Sequence, residues 1–355
     1  MTSKKILVVG DFRENKHIYT YANSFYKIFL ELDYKVEFFN SREKICSNLK
    51  LNNYLINLFL IRKVVIFDPE IVFFVKSENI IYKTIKLLKN KFKKKLINFY
   101  PDNPFCFWNH NSNSNVLKSL PLYDYFLSWS KMLMPVLESA GCKKVYYFPF
   151  AYDQNIYFVD NEVSSFKNYE YDVCFAGTWD LQREKILTQL CEILPDIKLG
   201  LWGNLWNKQL SPDSILRFYL QDNAVYLDGL ISVFNQSKII LNFIRKQNMT
   251  SHNMRTFEVT ATGNFLLTQR THEQACFLFE EGKSIECFDG IEELVEKIKF
   301  YLKHQDLREE IAKNGAVNNF SLKIILKNFM SVVEQEGVKN EINQESKTKN
   351  CDSYY

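Results

Sequence analysis

The sequence predicts an α/β fold with two doubly wound, Rossmann-like domains that face each other across a central cleft. Short apolar segments alternate with helix-length segments, which is the pattern of parallel βαβ units. The alternation starts again at Asp172, after an irregular polar run that separates the two series. The chain has 355 residues, 46% hydrophobic and 24% charged, which is enough for two cores of ordinary size.

The first series of strands is predicted from runs rich in Val, Ile, Phe and Tyr. Helices are expected between the strands, for example at residues 19–32 and 131–139. Residues 1–150 therefore form the N-terminal domain, and residues 151–170 form a linker. The predicted strands are residues 5–9, 35–39, 71–75, 96–100, 125–127 and 144–148.

The second series predicts a C-terminal domain at residues 171–335. Its first helix is expected at residues 181–194, and two closing helices at residues 291–304 and from residue 305 to about 334. The last helix is free to pack back on the N-terminal domain. Residues 336–355 lack apolar periodicity and are predicted to be a disordered tail. The predicted strands are residues 172–176, 197–202, 224–227, 238–243 and 265–268.

Composition narrows the class of protein. A net charge of +4 is too small to indicate nucleic acid, and the one dense basic run, Lys89 to Lys95, fits either a solvated helix end or contact with an anionic membrane. No signal peptide is predicted, and no apolar run reaches the ~20 residues of a membrane span. The eight cysteines show no Cys-x-x-Cys pair, which favours a reducing, cytoplasmic setting.

The segment from Ser251 to Thr268 carries the strongest functional signal. A polar loop with Arg255 leads into a short helix with Glu258, and Gly263 ends that helix before an apolar strand. A helix N-terminus flanked by Arg can bind phosphate oxygens. A carboxylate one turn later can accept hydrogen bonds from sugar hydroxyls. The segment therefore predicts a site for a nucleoside diphosphate.

In its second half the chain resembles GT-B glycosyltransferases of the CgeB-like branch (spore-maturation protein CgeB), which is related to the group-1 glycosyltransferases. The resemblance covers most of residues 1–335 and is strongest after about residue 170. It is carried by Asp172-Val173-Cys174-Phe175-Ala176-Gly177-Thr178, Trp202-Gly203-Asn204-Leu205-Trp206, Val225-Tyr226-Leu227-Asp228-Gly229, the block of Arg255, Phe257, Glu258 and Gly263, Leu278-Phe279-Glu280-Glu281-Gly282, and Leu307-Arg308-Glu309-Glu310-Ile311-Ala312.

Two positions depart from the pattern of the wider group. Many retaining members carry two Glu eight positions apart, and Glu258 matches the second whereas Thr250 stands at the first. Asn319-Phe320-Ser321 replaces a frequent His-Thr pair. The contact with the donor sugar and the stereochemical outcome are therefore open.

The resemblance implies transfer of a sugar from a nucleotide-diphosphate sugar, bound by the C-terminal domain, to an acceptor bound by the N-terminal domain. Arg183 and Arg255 are expected to bind the diphosphate, and Glu258 the ribose. For each of these residues a structural role, as a surface charge or a helix-end residue, is the alternative. Further donor-site candidates are Gly177, Trp202, Gly203, Asn242, Ser251, His252 and Asn253.

The first domain offers three candidates for the general base that takes the acceptor's proton. Asp11 and Asp102 both follow predicted strands, at the edge of the sheet where ligands bind, and His17 is the third. A turn- or helix-capping role is the alternative for both aspartates. A retaining enzyme needs no protein base in that role.

Other chemistries are not indicated. Metal-ligand spacing, a Walker A motif, Gly-x-Gly-x-x-Gly and Gly-x-Ser-x-Gly are all absent from the sequence, so no cofactor is expected beyond the nucleotide-sugar substrate. The leading prediction is a metal-independent hexosyltransferase acting on a polysaccharide, glycolipid or protein-linked acceptor. The alternatives are a non-catalytic nucleotide-sugar-binding protein of surface or coat assembly, and a protein that binds an anionic polymer or membrane through Lys89 to Lys95.

Overall fold

Two parallel sheets organise the computed structural model, which describes residues 4–15, 18–107, 112–158, 169–221, 224–248, 250–316 and 320–349. The strands of the first half are β1 Lys5–Gly10, β2 Glu14–Asn15, β3 Ile18–Tyr19, β4 Lys35–Asn40, β5 Ile71–Val75, β6 Lys95–Phe99, β7 Tyr125–Ser128 and β8 Val145–Tyr147. Six of them form a sheet in the order β4-β1-β5-β6-β7-β8, while β2 and β3 pair as a short antiparallel ribbon.

Five helices pack on the first sheet: α1 Tyr21–Glu31, α2 Leu49–Phe67, α3 Tyr82–Asn90, α4 Ser114–Ser119 and α5 Leu133–Ser139. Asn48 begins α2 by accepting hydrogen bonds from the backbone N–H groups of Lys50 and Leu51. An Asn side chain there satisfies donors that the first helical turn leaves unpaired. The central strands β1 and β5 are buried on both faces, as covered parallel sheets require.

The second half repeats the plan. Its sheet has the order β10-β9-β11-β12-β13, and each neighbouring pair is parallel. The strands are β9 Tyr171–Ala176, β10 Leu199–Trp202, β11 Ser237–Asn242, β12 Leu266–Gln269 and β13 Glu286–Phe288. The helices are α6 Leu181–Ile193, α7 Trp206–Gln209, α8 Leu227–Asn235, α9 Met254–Ala261, α10 Gly290–Lys303, α11 Gln305–Ala316 and α12 Leu322–Lys349. The predicted α/β fold with two Rossmann-like domains is confirmed.

The last helix returns to the first domain. The start of α12 pairs with the segment that connects the two domains, which includes Tyr152 and Tyr157 and is called the connecting segment. There the N–H of Leu322 donates to the carbonyl of Tyr152 at 2.9 Å. Further along, Phe329 packs edge-on against Tyr125, with ring centroids 5.4 Å apart. The C-terminal helix thus fastens the two domains together.

Three predicted elements differ from the structure. The strand predicted at residues 224–227 is wrong, because the apolar run there enters α8 at Leu227 instead of pairing with a sheet. The single helix predicted from residue 305 is two helices, since Phe320 lies outside any helix and Ser321 bridges to Tyr152. The helical backbone of α12 continues to Lys349, past the predicted start of the tail at residue 336, in a stretch rich in the good helix formers Glu, Lys and Gln.

No helix within the described ranges has the combination of length and apolarity that a membrane-spanning segment needs.

Candidate functional site

A cleft of about 750 Å³ lies between the two domains, at the carboxyl ends of β9, β10 and β11. Carboxyl ends of parallel strands share one edge, so the loops after them converge there. Nine predicted site residues line the cleft: Asp102, Gly177, Arg183, Trp202, Gly203, Asn242, Asn253, Arg255 and Glu258. Asp11, Ser251 and His252 do not line it. His17 lies outside the described residues.

Arg183 is a buried cation on the first turn of α6. Its Nη1 donates to the carbonyl of Thr178 at 2.7 Å and its Nη2 to the carbonyl of Phe243 at 3.3 Å. Burial, followed by the charge of Arg245, lowers the pKa of Arg183 to about 10. Both hydrogen bonds go to neutral carbonyls, and the charges of Arg245 and Arg255 outweigh that of Asp180 beside it, so the position favours an anion.

Two further arginines complete a cationic corner of the cleft. Arg255 donates from Nη2 to the carbonyl of Ala176 at 3.1 Å, and its charge also lowers the pKa of Arg183. Arg245 lines the same cleft and follows β11 by three residues. The sequence analysis missed Arg245, although its place just after the carboxyl end of a strand was the available signal. The arrangement can hold a diphosphate by charge-assisted hydrogen bonds.

Glu258 lies next to this corner in an aromatic setting. Its Oε2 accepts a hydrogen bond from Arg255 Nη1 at 2.6 Å, and the residue is only 5% exposed. Tyr21 of α1 and Tyr157 of the connecting segment lie beside it: burial, and then the charge of Glu258, raises the pKa of both phenols. A buried carboxylate with a remaining oxygen is suited to accept hydrogen bonds from vicinal hydroxyls.

The N-terminus of α9 is fixed by two asparagines. Asn253 accepts a hydrogen bond from the N–H of Thr256 at 3.3 Å, and so caps the helix. Asn242, at the end of β11, accepts from Asn253 Nδ2 at 2.9 Å and donates to Thr268 Oγ1 at 3.0 Å. Asn242 thus positions the capping residue, and the capped helix start faces the cleft beside Arg255.

Gly177 and Gly203 allow the turns after β9 and β10 to touch. Gly203 has φ +149°, and a Cβ there would lie 1.9 Å from the carbonyl oxygen of Gly177. A side chain at Gly177 would be crowded as well, since its Cβ would lie 2.7 Å from Cζ of Phe175. The two glycines therefore keep the floor of the cleft close to the backbone.

Trp202 is packed too tightly to stack on a nucleobase. It is 7% exposed, and its ring lies edge-on to Tyr171 at 5.1 Å. The more open groups at this end of the cleft are Asn204 and Tyr226, where Asn204 Nδ2 donates to the phenol oxygen at 2.7 Å.

Ser251 and His252 are buried between the domains rather than at the cleft. His252 Nε2 accepts the N–H of Phe150 at 3.0 Å, and Nδ1 lies 2.9 Å from Ser251 Oγ. Burial lowers the pKa of His252 to about 3, so the ring is neutral. Glu273 Oε1 lies 3.6 Å from Nδ1, and because the ring is neutral this contact is not an ion pair at neutral pH; burial raises the pKa of the Glu273 carboxyl. The ring lies in apolar surroundings, so His252 is part of the packed junction between the two domains.

A second, smaller pocket of about 470 Å³ lies at the carboxyl ends of β1, β4 and β5. Asp11 lines it and accepts from Arg13 Nε at 2.9 Å. Lys76 also lines it and reaches Asp102, at 2.7 Å, on the side of the main cleft. Lys76 and Ser77 have φ +63° and +50°, and two such non-glycine residues in succession are the kind of backbone strain that clusters at functional sites.

Thr250 stands outside both pockets. Its hydroxyl contacts Met132 Sδ at 2.6 Å, across the domain junction. Gln247 and Asn248 line the cleft from the same loop instead.

Comparison with known proteins supports this account. The glycosyl transferase-like family matches residues 182–324, and no curated protein matches at a significant level. The chain is similar to sucrose-phosphate synthase from Thermosynechococcus elongatus (TM-score 0.68, 10% identity, covering 95% of this chain and 100% of that one). It is also similar to Anabaena HepE in complex with UDP (TM-score 0.60, 12% identity, 94% and 100%). A UDP-GlcNAc 2-epimerase from Neisseria meningitidis, bound to UDP-GlcNAc, shares the fold as well (TM-score 0.55, 11% identity, 93% and 100%).

The structural likenesses show the fold, and the family match adds a sequence pattern that covers α6 to the start of α12. Together they confirm the predicted fold of two Rossmann-like domains and give residues 182–324 a glycosyl transferase-like sequence pattern.

Proposed function

We propose that the protein transfers a hexose from a nucleoside-diphosphate sugar to a polysaccharide, glycolipid or protein-linked acceptor, and that it does so without a metal. The observation that carries the proposal is the cationic corner of Arg183, Arg245 and Arg255 in the cleft between the domains. Departure of a nucleoside diphosphate leaves negative charge on its terminal phosphate. Fixed guanidinium groups stabilise that charge without reorganisation.

The donor is proposed to lie along the second domain, residues 171–335. Its diphosphate would contact Arg183 and Arg245, and its ribose would hydrogen-bond to Glu258, whose partner Arg255 would then bridge ribose site and phosphate. The nucleobase would occupy the end of the cleft at Asn204 and Tyr226. The complexes of HepE with UDP and with UDP-glucose support a nucleotide of this kind.

The acceptor is proposed to approach from the first domain, residues 1–150. Of the candidates for general base, Asp102 lines the cleft and Asp11 lines the second pocket, so Asp102 is the better placed. Its ion pair with Lys76, at 2.7 Å, orients the carboxylate. His17 remains a candidate, and a retaining mechanism would need none of the three.

The alternative is a GT-B-like protein of surface or coat assembly that binds a nucleotide sugar without transferring it. It is favoured by Thr250, which stands where the wider group has an acid and contacts Met132 rather than the cleft. Such a protein would bind donor and release neither sugar nor diphosphate.

Three finer points belong to the same proposal. Membership of the CgeB-like branch rests on the sequence resemblance. A reducing compartment, such as the cytoplasm, is supported by the seven cysteines of the described residues, none of which forms a disulfide. Peripheral contact with an anionic membrane through Lys89 to Lys95 also stays a proposal, with Lys89 and Lys94 already paired to Asp124 and Asp68.

A thermal-shift panel of UDP, GDP, ADP and TDP and their hexose conjugates tests the binding step. A specific ligand at a hundredfold excess over Kd stabilises the folded state by about 2.7 kcal/mol. With the best donor, release of nucleoside diphosphate is then measured with candidate glycan acceptors. Stabilisation by none of these ligands would overturn the proposal. Conversion of UDP-GlcNAc to its C2 epimer would replace it with epimerase chemistry.

Asp102→Asn separates catalysis from binding. If Asp102 is the base, the variant should keep donor affinity while transfer falls by about a hundredfold or more. Asp124→Asn is the matched control, because Asp124 also pairs with a lysine but lies outside the cleft. Equal losses in both variants would remove Asp102 from the mechanism.

A further inference from the structure

Helix α2 exposes an apolar stripe to solvent. Six of its large hydrophobic side chains are between 40% and 71% exposed: Leu51, Tyr54, Leu58, Phe59, Val65 and Ile66. At 100° per residue these six fall within an arc of about 140°, with Arg62 near its centre. We call these seven residues the outer face of α2. The stripe runs along most of a 19-residue helix, which is roughly 28 Å long.

The inner face of α2 already supplies everything the fold needs from this helix. Ile56, Leu60, Val64 and Phe67 are buried against the first domain and lie opposite the outer face. The outer face therefore adds nothing to the core of the chain. Apolar side chains that recur in register along a whole helix, and are not covered by the protein, mark a surface that binds something else.

Helices α2 and α3 themselves carry cations and no acids. No Asp or Glu occurs from residue 44 to residue 67, or from residue 79 to residue 101. Helix α3 is the neighbour of α2: the Nδ2 of Asn57 donates to the carbonyl of Asn79 at 3.1 Å, and Asn57 Oδ1 accepts the N–H of Ile81 at 3.0 Å. Both helices connect successive strands of one parallel sheet in the same direction, so they cover the same side of it.

The lysines of α3 extend this surface. Thr84, Ile85 and Leu88 are buried, which turns the exposed Lys83 and Lys86 away from the sheet, to the side the outer face of α2 occupies. Neither lysine has a carboxylate partner among the ion pairs of the described residues. Lys63, at the edge of the stripe, is paired with Glu37, whereas Arg62 within it is not.

We propose that the outer face of α2, together with Lys83 and Lys86, docks on the surface of a bilayer that contains anionic lipid. Apolar side chains on one stripe, with cations beside them and no acid within either helix, are the pattern of helices that lie in the headgroup region, and Glu37 at the edge of the stripe is neutralised by Lys63. A second copy of the chain is disfavoured because a two-fold contact would bring two faces together that both carry the cations Arg62, Lys83 and Lys86 and no unpaired acid to complement them. The proposed membrane contact is thus the surface of α2 and α3 rather than the basic run of Lys89 to Lys95. It does not rest on the proposed transfer activity.

Co-sedimentation of the full chain with vesicles tests the inference. Vesicles of phosphatidylcholine alone are compared with vesicles containing about 30% phosphatidylglycerol, an anionic lipid. We expect binding to the anionic vesicles only, reduced at high salt. The double variant Val65→Ser/Ile66→Ser should lower the partition coefficient at least about tenfold. Lys83→Gln/Lys86→Gln should lower it about 25-fold, since each lysine near the headgroups contributes about a fivefold factor.

Matched variants on the second domain serve as controls. Phe218→Ser removes a side chain that is 88% exposed, and Lys208→Gln/Lys313→Gln removes two exposed lysines. Both should bind vesicles like the parent, and all variants should keep the parent's melting temperature and its nucleotide-induced shift. Equal binding to both vesicle types, no binding to either, or equal losses in control and outer-face variants would overturn the inference. So would a concentration-dependent dimer, seen by light scattering, that Val65→Ser/Ile66→Ser abolishes.

Discussion

Replacing Arg183 with Met separates the cationic corner's effect on binding from its effect on folding. Met has a similar length but no charge and no donors. In the wild type, burial of the guanidinium holds the pKa of Arg183 at about 10 instead of 12.5. At about 1.4 kcal/mol per pKa unit, the folded protein spends roughly 3 kcal/mol to keep this charge in the cleft.

The substitution therefore has two opposed effects on the unliganded protein. It removes the roughly 3 kcal/mol penalty of the buried charge, but it leaves the carbonyls of Thr178 and Phe243 without their donors, at about 1–3 kcal/mol each. These contributions nearly cancel, so the melting temperature should change by only a few degrees. Binding of a nucleoside diphosphate has no such compensation. Loss of a charged hydrogen bond of about 1.5–3 kcal/mol should raise Kd by roughly 10- to 150-fold.

Isothermal titration with the nucleoside diphosphate that gives the largest thermal shift measures this change. Arg217→Met is the matched control, because Arg217 also donates to backbone carbonyls, at 2.7 Å to Ser211, but does not line the cleft. Unchanged affinity in Arg183→Met would refute the reasoning, as would an equal loss in Arg217→Met.

Three further predictions concern ribose recognition, pH and the floor of the cleft. Wild type should bind a 2′-deoxynucleoside diphosphate about tenfold more weakly than the ribose form, and Glu258→Gln should remove most of this discrimination in titration calorimetry. Burial lowers the pKa of His252 to about 3, so the folded protein keeps this ring neutral while the unfolded chain protonates it below about pH 6.5. The free energy of unfolding should therefore fall by up to ~1.4 kcal/mol per pH unit below 6.5. Glu273 partly offsets this fall, because its raised pKa acts in the opposite direction. Denaturant titrations across this pH range should show that the free energy of unfolding of His252→Gln depends less steeply on pH than that of the wild type. Gly203→Ala should lower stability by at least about 3 kcal/mol, because its Cβ has no room, whereas Gly229→Ala in α8 should be neutral or stabilising.

Much of the fold follows from local patterns, and its exceptions have physical reasons. Strands such as Ile71–Val75 are buried on both faces, so an uninterrupted apolar run identifies them. Helix α2 could not be identified from its pattern in the same way. It is apolar on its outer face as well as its inner face, and therefore shows no amphipathic period. The run Val225-Tyr226-Leu227 has the composition of a strand, but it borders the cleft and leads into a helix.

The site was predictable where chemistry and chain position coincide. Arg255 and Glu258 follow a polar loop and sit on one helix, so their spacing alone places them together. Tyr21 of α1 and Tyr157 of the connecting segment lie beside Glu258, although each precedes it by more than a hundred residues in the sequence. No local sequence pattern indicates such contacts. His252 shows the converse error: it neighbours Asn253 and Arg255 in sequence, but it packs against the aromatic rings of Trp129, Phe150 and Phe257 in the core between the domains.

The same contacts tie donor binding to the arrangement of the domains. Glu258 belongs to the second domain, yet it is buried beside Tyr21 of the first and Tyr157 of the connecting segment. Any rotation that separates the domains must expose this carboxylate to water and would weaken the hydrogen bonds that we propose it makes to a ribose. The junction at Phe150 and His252 opposes such rotation with a buried hydrogen bond and an edge-to-face contact of the two rings. With the nucleotide bound as proposed, its affinity and domain closure are two readouts of one equilibrium, in which the ligand stabilises the closed arrangement by the interactions that only this arrangement completes.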